Sequence, residues 1–460
     1  MPLPLSGAIR MGADVNVELS NPVSTQIALG QSTVRTLYGI ASGAIRLSAD
    51  GYGKASVNKL VGTLQSLITP TTLGQFPQQG SSVSLSKDGN TLAIGAPIYN
   101  TGTGYTGATV IYVRSGSTWS QQATLISNDY TLGSGIFSGQ GSSVSLSDDG
   151  NTLAVGGYTD NNYVGATFIF TRSGTTWTQQ GSKIVGSGSV GNAEQGLSVS
   201  LSSDGNTLAV GGYADNSSLG ATWIFTRSGS TWSQQSKLIP SGNIGLNPQF
   251  GWNVNLSADG NTLAAGAIND NFISNGATGA TWIFTRSGST WSQQAKLVGT
   301  GVIDGGYGLI SRQGSSVSLS DDGNTLATGG DLDNYSSGSS AIGAIWIFTR
   351  AGSTWSQQAK LVGTGYTGTN PRFRNVSLST DGNLLAVGAP NDNFPLGAVW
   401  LFSRSGTTWT QKGSKLVPTD YTGSSSPRFG WSVALSKDGN NLACGGPYNS
   451  GQVGSVWLFT

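Results

Sequence analysis

The chain has 460 residues, with 23 Lys+Arg against 22 Asp+Glu, a net charge of +1 and only 10% charged residues. With no His and a single Cys, it excludes His-based acid–base and nucleophile chemistry, His/Cys zinc sites and intrachain disulfides. The even charge balance lacks the basic excess that nucleic-acid binding requires, and no apolar run is long enough for membrane insertion or a secretory h-region.

Residues 1–52 form a text of their own. Asp14-Val15-Asn16-Val17-Glu18-Leu19 alternates as a strand does, and Ser6-Gly7-Ala8-Ile9-Arg10 returns as Ser42-Gly43-Ala44-Ile45-Arg46. From Val34-Arg35-Thr36-Leu37 to Gly51-Tyr52-Gly53-Lys54 the segment resembles the short leader that begins many virion proteins of large tailed phages. The resemblance implies attachment to other virion proteins through residues 1–52, as an extended segment that adds strands to a partner. The segment is too short and polar to form a core of its own. A tail that is disordered or packed on the propeller is the alternative.

Residues 53–460 are repetitive. An Asp-Gly-Asn triplet, preceded by a Ser/Val/Leu alternation and followed by Leu-Ala, recurs at Asp88, Asp149, Asp204, Asp259, Asp322, Asp381 and Asp438, at intervals of 55 to 63 residues. Within each unit four strands are predicted. Strand a (Ser82-Val83-Ser84-Leu85-Ser86) has one apolar face, the Asp88-Gly89-Asn90 turn follows, and Thr91-Leu92-Ala93-Ile94-Gly95 is strand b. Strand c, as in Ala221-Thr222-Trp223-Ile224-Phe225-Thr226, is apolar on both faces and so needs cover on both. Strand d is typified by Thr231-Trp232-Ser233-Gln234-Gln235. Seven such units predict an all-β fold, a seven-bladed β-propeller of four-stranded antiparallel blades. The last unit ends after strand c at Thr460, while Lys59-Leu60-Val61-Gly62-Thr63 repeats the text Lys296-Leu297-Val298-Gly299-Thr300 that follows strand d elsewhere. The expectation is that residues near 53–63 supply the missing strand and close the ring.

Phe429-Gly430-Trp431-Ser432-Val433, Asp438-Gly439, Gly445-Gly446-Pro447 and Gly454-Ser455-Val456-Trp457 together resemble the FG-GAP repeat of integrin-α-type propellers; Phe250-Gly251-Trp252, Gly95-Ala96-Pro97 and Gly388-Ala389-Pro390 match further. Calcium-binding members of that family carry several acidic residues in the a–b connection. Here it is shortened to Ser86-Lys87-Asp88-Gly89-Asn90, which reads as a plain hairpin turn.

The a–b and c–d turns must lie at one end of the blades and the b–c and d–a loops at the other. The length variation between units falls in the b–c and d–a loops, which also hold 11 of the 14 Tyr: Tyr99, Tyr105, Tyr130, Tyr158, Tyr163, Tyr213, Tyr307, Tyr335, Tyr366, Tyr421 and Tyr448. Tyr among Gly, Ser, Asn and Asp suits an adaptable binding surface for a host-surface glycan or protein. Asp331 and Asp333, Asp270 and Asp392 sit in the same loops, where backbone capping is the first expectation and calcium the lesser one. No blade offers a unique carboxylate pair, so no enzymatic activity and no cofactor are expected. Turn Arg residues 114, 172, 227, 286, 350 and 404 are expected to form intra-blade ion pairs with the turn Asp residues or solvated edges. Trp 119, 177, 232, 291, 355 and 409 are expected between blades, and Cys444 in the core. The resulting expectation is a structural protein of a tailed-phage virion, in the tail fibre, baseplate or another surface component, homo-oligomeric in the particle. A bacterial surface adhesin or lectin is the alternative, with a glycan-cleaving enzyme third.

Overall fold

The computed structural model describes residues 62–69, 77–102, 104–132, 137–273, 276–303, 310–336, 340–419, 421 and 426–460; the expectations for residues 1–52, and for Tyr307, fall outside them. Blade 3 shows how the sequence builds a unit. Strand a, Ser198–Leu201, alternates Ser with Val and Leu; the chain reverses at Asp204-Gly205-Asn206 into strand b, Thr207–Gly212, and continues as strand c, Ala221–Ser228, and strand d, Thr231–Leu238. Pairing runs a-b-c-d and is antiparallel throughout. Seven such sheets succeed one another through residues 82–125, 143–179, 198–238, 250–297, 313–361, 375–411 and 432–459, the last completed by Leu64–Ile68. The fold is a seven-bladed all-β ring.

The core lies between blades rather than within them. One cluster joins Ala209, Ile224 and Leu238 of blade 3 to Phe250, Val254, Leu263 and Trp282 of blade 4, and equivalent clusters recur around the ring. This is why strand c has no polar face: each sheet is covered on both sides by its neighbours. Trp223, Trp282, Trp346, Trp400 and Trp457 are fully buried there, each the kind of side chain whose truncation costs about 3–5 kcal/mol. Cys444 is likewise buried.

Ring closure uses an N-terminal strand, but not the expected one. Leu64–Ile68 pairs with Ser455–Phe459, with Leu64 opposite Phe459 and Ile68 opposite Val456. In blade 4, Leu297 stands opposite Thr281, the position that Val456 holds here, so Ile68 rather than Leu60 is the counterpart of Leu297. The Lys59–Thr63 text imitates the right sequence eight residues too early, because the register is set by burying Ile68, which is 5% exposed. A second contact closes the ring as well: Gln78 N and Gln79 N donate to Gln452 O and Val453 O at 2.9 and 3.0 Å.

That contact exists at every blade junction. The residue pair before strand a docks against a glycine that opens strand c of the preceding blade, as Phe250 does on Gly220. Gly220 has φ +82°, and a Cβ there would lie 2.0 Å from Phe250 O, so only glycine fits. In blades 2 and 6 an extra glycine, Gly181 or Gly413, shortens strand d to Thr176–Gln179 or Thr408–Gln411.

The inner strands face an axis and have no further strand to pair with. Their free N–H groups are satisfied by side chains of the preceding blade: Ser198 and Ser200 Oγ accept from Val254 N and Leu256 N at 2.9 and 3.0 Å. Asn253 and Asn255 do the same for Val317 and Leu319. The Ser/Asn face of strand a is therefore an inter-blade fastening that removes the exposed edge.

Candidate functional site

The a–b and c–d turn face is committed to framework. In blade 4, Asp259 Oδ1 accepts from Ser257 Oγ at 2.6 Å and Asn261 N at 2.9 Å, Oδ2 accepts from Asn261 Nδ2 at 3.0 Å, and Ser257 Oγ in turn accepts from Thr262 N. All seven turns repeat this arrangement. Burial raises the Asp259 carboxyl, but the Ser257 and Asn261 donors outweigh it and hold the group below its usual range.

The turn Arg residues do not form the expected ion pairs with these Asp carboxylates. Arg286 Nε donates to Asn261 Oδ1 at 2.9 Å, while its terminal nitrogens reach back to Gln235 Oε1 at 3.4 Å and Thr207 Oγ1 at 3.3 Å in blade 3. Trp291 Nε1 donates to the same Gln235 oxygen at 2.8 Å, with the guanidinium over its ring. The reason is saturation: the Asp oxygens already hold Ser and Asn donors, so the guanidinium spans the blade junction instead. The clasp recurs at Gln122, Gln180, Gln294 and Gln358. Trp 177, 232, 291, 355 and 409 thus lie between blades as expected, whereas Trp119 Nε1 has no partner at the junction with blade 7.

The same end of the axis is closed. Backbone N–H groups of Lys87, Asp148, Ser203, Ala258, Asp321 and Thr380 each donate to the carbonyl of the equivalent residue in the next blade, ending at Lys437 O. Lys437 Nζ crosses the axis to Asp148 at 2.7 Å, Asp321 at 3.0 Å and Ser203 Oγ at 2.5 Å.

At the opposite end, five loop carboxylates are buried ion pairs, Asp270, Asp333 and Asp392 having been anticipated as caps and Asp160 and Asp215 not. Asp160, Asp215, Asp270 and Asp333 meet Lys183, Lys237, Lys296 and Lys360 at 2.6 to 2.8 Å, and Asp392 meets Lys415. Each Asp also accepts a backbone N–H from the adjoining d–a loop, as Asp333 does from Ile303 at 3.0 Å. Lys237, Lys296, Lys360 and Lys415 lie over the buried strand-c Trp rings. This is capping as expected, with a cation added. Asp331 differs: it faces Arg312 and Arg372, both at 3.9 Å. Asp331 and Asp333 therefore both have cationic neighbours. Among the described residues no group of three or more Asp, Glu, His or Cys is placed to hold a metal ion.

The described Tyr residues divide into two sets. Tyr105 stacks on Phe137, Tyr130 packs against the junction of blades 1 and 2, and Tyr366 meets Phe373 edge-on. Tyr163, Tyr366 and Tyr421 are exposed, and Tyr99 and Tyr335 are half-buried. Tyr158, Tyr213 and Tyr448 border the axis, where the Tyr213 hydroxyl donates to Glu194 and its ring meets Trp252 edge-on at 4.8 Å. Burial raises both the Glu194 carboxyl and the Tyr213 hydroxyl above their usual ranges. Exposed apolar side chains share this end: Val190, Ile244 and Ile303 in equivalent loops, Leu246 at 89% and Phe394 at 63% exposure.

Sequence reasoning missed the residues around the axial opening. The position before the Phe or Gln that docks on the preceding blade is occupied by Gln78, Gly139, Glu194, Gln249, Arg312, Arg372 and Arg428, and every one has positive φ; a Gly follows that Phe or Gln in six blades and Arg374 in blade 6. Aligning the repeats at that residue would have put three Arg in one column.

No family model and no curated protein matches the chain. Among solved structures it resembles the Cps50 (Swd1) β-propeller domain of Myceliophteria thermophila, at 12% identity and TM-score 0.52, over 85% of this chain and 99% of that one. It resembles the hydrazine synthase of Kuenenia stuttgartiensis at 15% identity and TM-score 0.54, over 85% of this chain and 98% of the other. Likeness at this identity shows the fold alone.

Proposed function

We propose that this chain is a binding protein of a tailed-phage particle surface, whose propeller engages a host-surface glycan or protein through its b–c and d–a loop face. One observation carries the binding face: the two ends of the ring are chemically unequal. At the turn end Asp, Asn, Arg, Trp and Gln are consumed in repeated framework bonds. At the loop end the blades differ from one another and expose Tyr163, Leu246, Ile303 and Phe394. Exposed apolar and aromatic side chains set among polar loops are the composition of recognition surfaces. The particle setting is supported by the leader resemblance of residues 1–52, and the FG-GAP resemblance fits an adhesive propeller. Recognition without catalysis is the reading favoured by loop carboxylates, Asp160, Asp215, Asp270, Asp333 and Asp392, that recur from blade to blade, each paired with a Lys.

Immunogold labelling of purified particles from the source tests the setting, and competition by the purified chain tests the face. The expected result is labelling at one defined tail or capsid position, and inhibition of particle adsorption that Tyr163→Ala/Leu246→Ala weakens while Lys87→Ala at the turn end does not. Unlabelled particles would overturn the virion assignment; adsorption indifferent to the loop-face variant would overturn the face.

A further inference from the structure

We propose that the axial opening at the loop end binds the oxyanion groups of an acidic glycan; this deepens the binding reading above and rests on it. Arg312, Arg372 and Arg428 occupy the same position in blades 5, 6 and 7, and Arg374 lies beside them in the shortened entry to blade 6 strand a. Asp331 is the carboxylate gathered among them, 3.9 Å from both Arg312 and Arg372, and its Oδ1 is buried with no hydrogen-bond partner. Arg374 Nε is likewise buried without a partner. Among the described residues Arg312, Arg372, Arg374 and Arg428 gather around Asp331 in a partly desolvated place, where planar donor forks pair well with carboxylate or sulfate oxygens.

The blade architecture does not require these cations. Gly139, Gln78 and Gln249 fill the same position in blades 2, 1 and 4. The backbone there is left-handed, at φ +56°, +58° and +49° for the three Arg residues, a conformation that costs a non-glycine residue roughly 1 kcal/mol. Gln78, Glu194 and Gln249 adopt the same backbone, so what sets blades 5 to 7 apart is the cation itself, and cations that differ between otherwise repeated blades point to a ligand.

Aromatic rings select the ligand class. Arg374 lies over Trp431 at 4.7 Å, Arg428 over Tyr448 at 4.8 Å and Phe394 at 5.6 Å, and Arg312 over Trp252 at 5.8 Å. Rigid ring faces interleaved with guanidiniums suit the apolar faces of sugars that carry charged groups. Across the opening, Tyr213 and Glu194 occupy in blade 3 the positions that Asp331 and Arg312 occupy in blade 5, and offer hydrogen bonds to hydroxyls. Lys437 blocks the far end of the axis, so the ligand enters from the loop end and does not thread through.

Titration of the full chain with polygalacturonate, dextran sulfate, neutral dextran and polyglutamate tests this. Both acidic polysaccharides should bind and neutral dextran should not; whichever of the two binds tighter identifies carboxylate or sulfate as the preferred group. Arg428→Gln should weaken binding about tenfold and Arg312→Gln/Arg428→Gln further, with melting temperature unchanged because Gln already stands at positions 78 and 249. Lys87→Gln at the other end should leave affinity unaltered. The inference is overturned by no binding of either acidic polysaccharide, by affinity that survives the double variant, by equal weakening in Lys87→Gln, or by polyglutamate binding as tightly. Those failures would leave the loop-face reading intact, since Tyr163 and Leu246 test it separately.

Discussion

A single glutamine can hold two blades together. Gln235 accepts from both Arg286 and Trp291 of the following blade. Gln235→Ala should lower stability by about 1–2 kcal/mol, read as a denaturant midpoint shift, because two part-buried donors lose one acceptor. Little or no shift would mean that water replaces the clasp. The turn carboxylates make a pH prediction. Asp88, Asp149, Asp204, Asp259, Asp322 and Asp381 are all held below the ordinary value of 3.8 by Ser and Asn donors that outweigh burial. A lowered folded pKa gives stability that is present above the unfolded pKa and lost as pH falls through the folded one. With no His to titrate in between, the melting temperature should be level from about pH 8 to 5 and drop below about pH 4. A level profile down to about pH 2 would show that these bonds contribute nothing. Sequence alone identified Asp88 and its copies as turn residues, since Asp-Gly-Asn carries its own local geometry. It expected the Arg to pair with the turn Asp or to stand at a solvated edge and did not find the clasp, because the choice between Asp, Asn and a glutamine one blade away depends on which acceptors are already filled.

At the scale of strands and blades, blade 7 is the weak member. Among the described residues Trp119 Nε1 finds no acceptor at the junction of blades 1 and 7, and the strand d of blade 7 comes from the far end of the described chain. Native-state hydrogen exchange should therefore show lower protection in Leu64–Ile68 and Ser455–Phe459 than in Ala280–Ser287 and Thr290–Leu297 of blade 4. Ile68→Ala should cost about 2–3 kcal/mol and widen that gap. Uniform protection around the ring would contradict this. The strands themselves were legible: period-2 alternation, a recurring turn and a doubly apolar strand c leave few alternatives. The closing strand was misplaced by eight residues because similarity of text at Lys59–Thr63 was followed, whereas burial of Leu67 and Ile68 sets the register. Strand a was legible as a strand with one apolar face, but the role of its Ser residues as acceptors for the next blade is visible only once the ring is closed.

For the whole molecule, seven near-identical blades divide labour between the two ends of one axis. The turn end is sealed by a chain of backbone bonds and by Lys437, which neutralises Asp148 and Asp321 drawn from distant blades. The loop end departs from the repeat, with cations in blades 5 to 7, a Glu–Tyr pair in blade 3 and exposed apolar loops. Its Tyr content was legible as composition; its axial Arg column becomes legible only when the repeats are aligned at the docking Phe or Gln, as in Pro371-Arg372-Phe373 and Pro427-Arg428-Phe429, because composition and the Asp-Gly-Asn spacing alone do not mark that position. On the proposed reading, recognition belongs to the loop end. Its most direct test is the hydrogen-exchange footprint of the full chain with a panel of purified bacterial surface polysaccharides. Protection should gather at residues 310–315, 371–375 and 427–431 and in the neighbouring loops, with the Asp-Gly turns unaffected. Protection centred on those turns, or none with any polysaccharide or particle partner, would contradict the account.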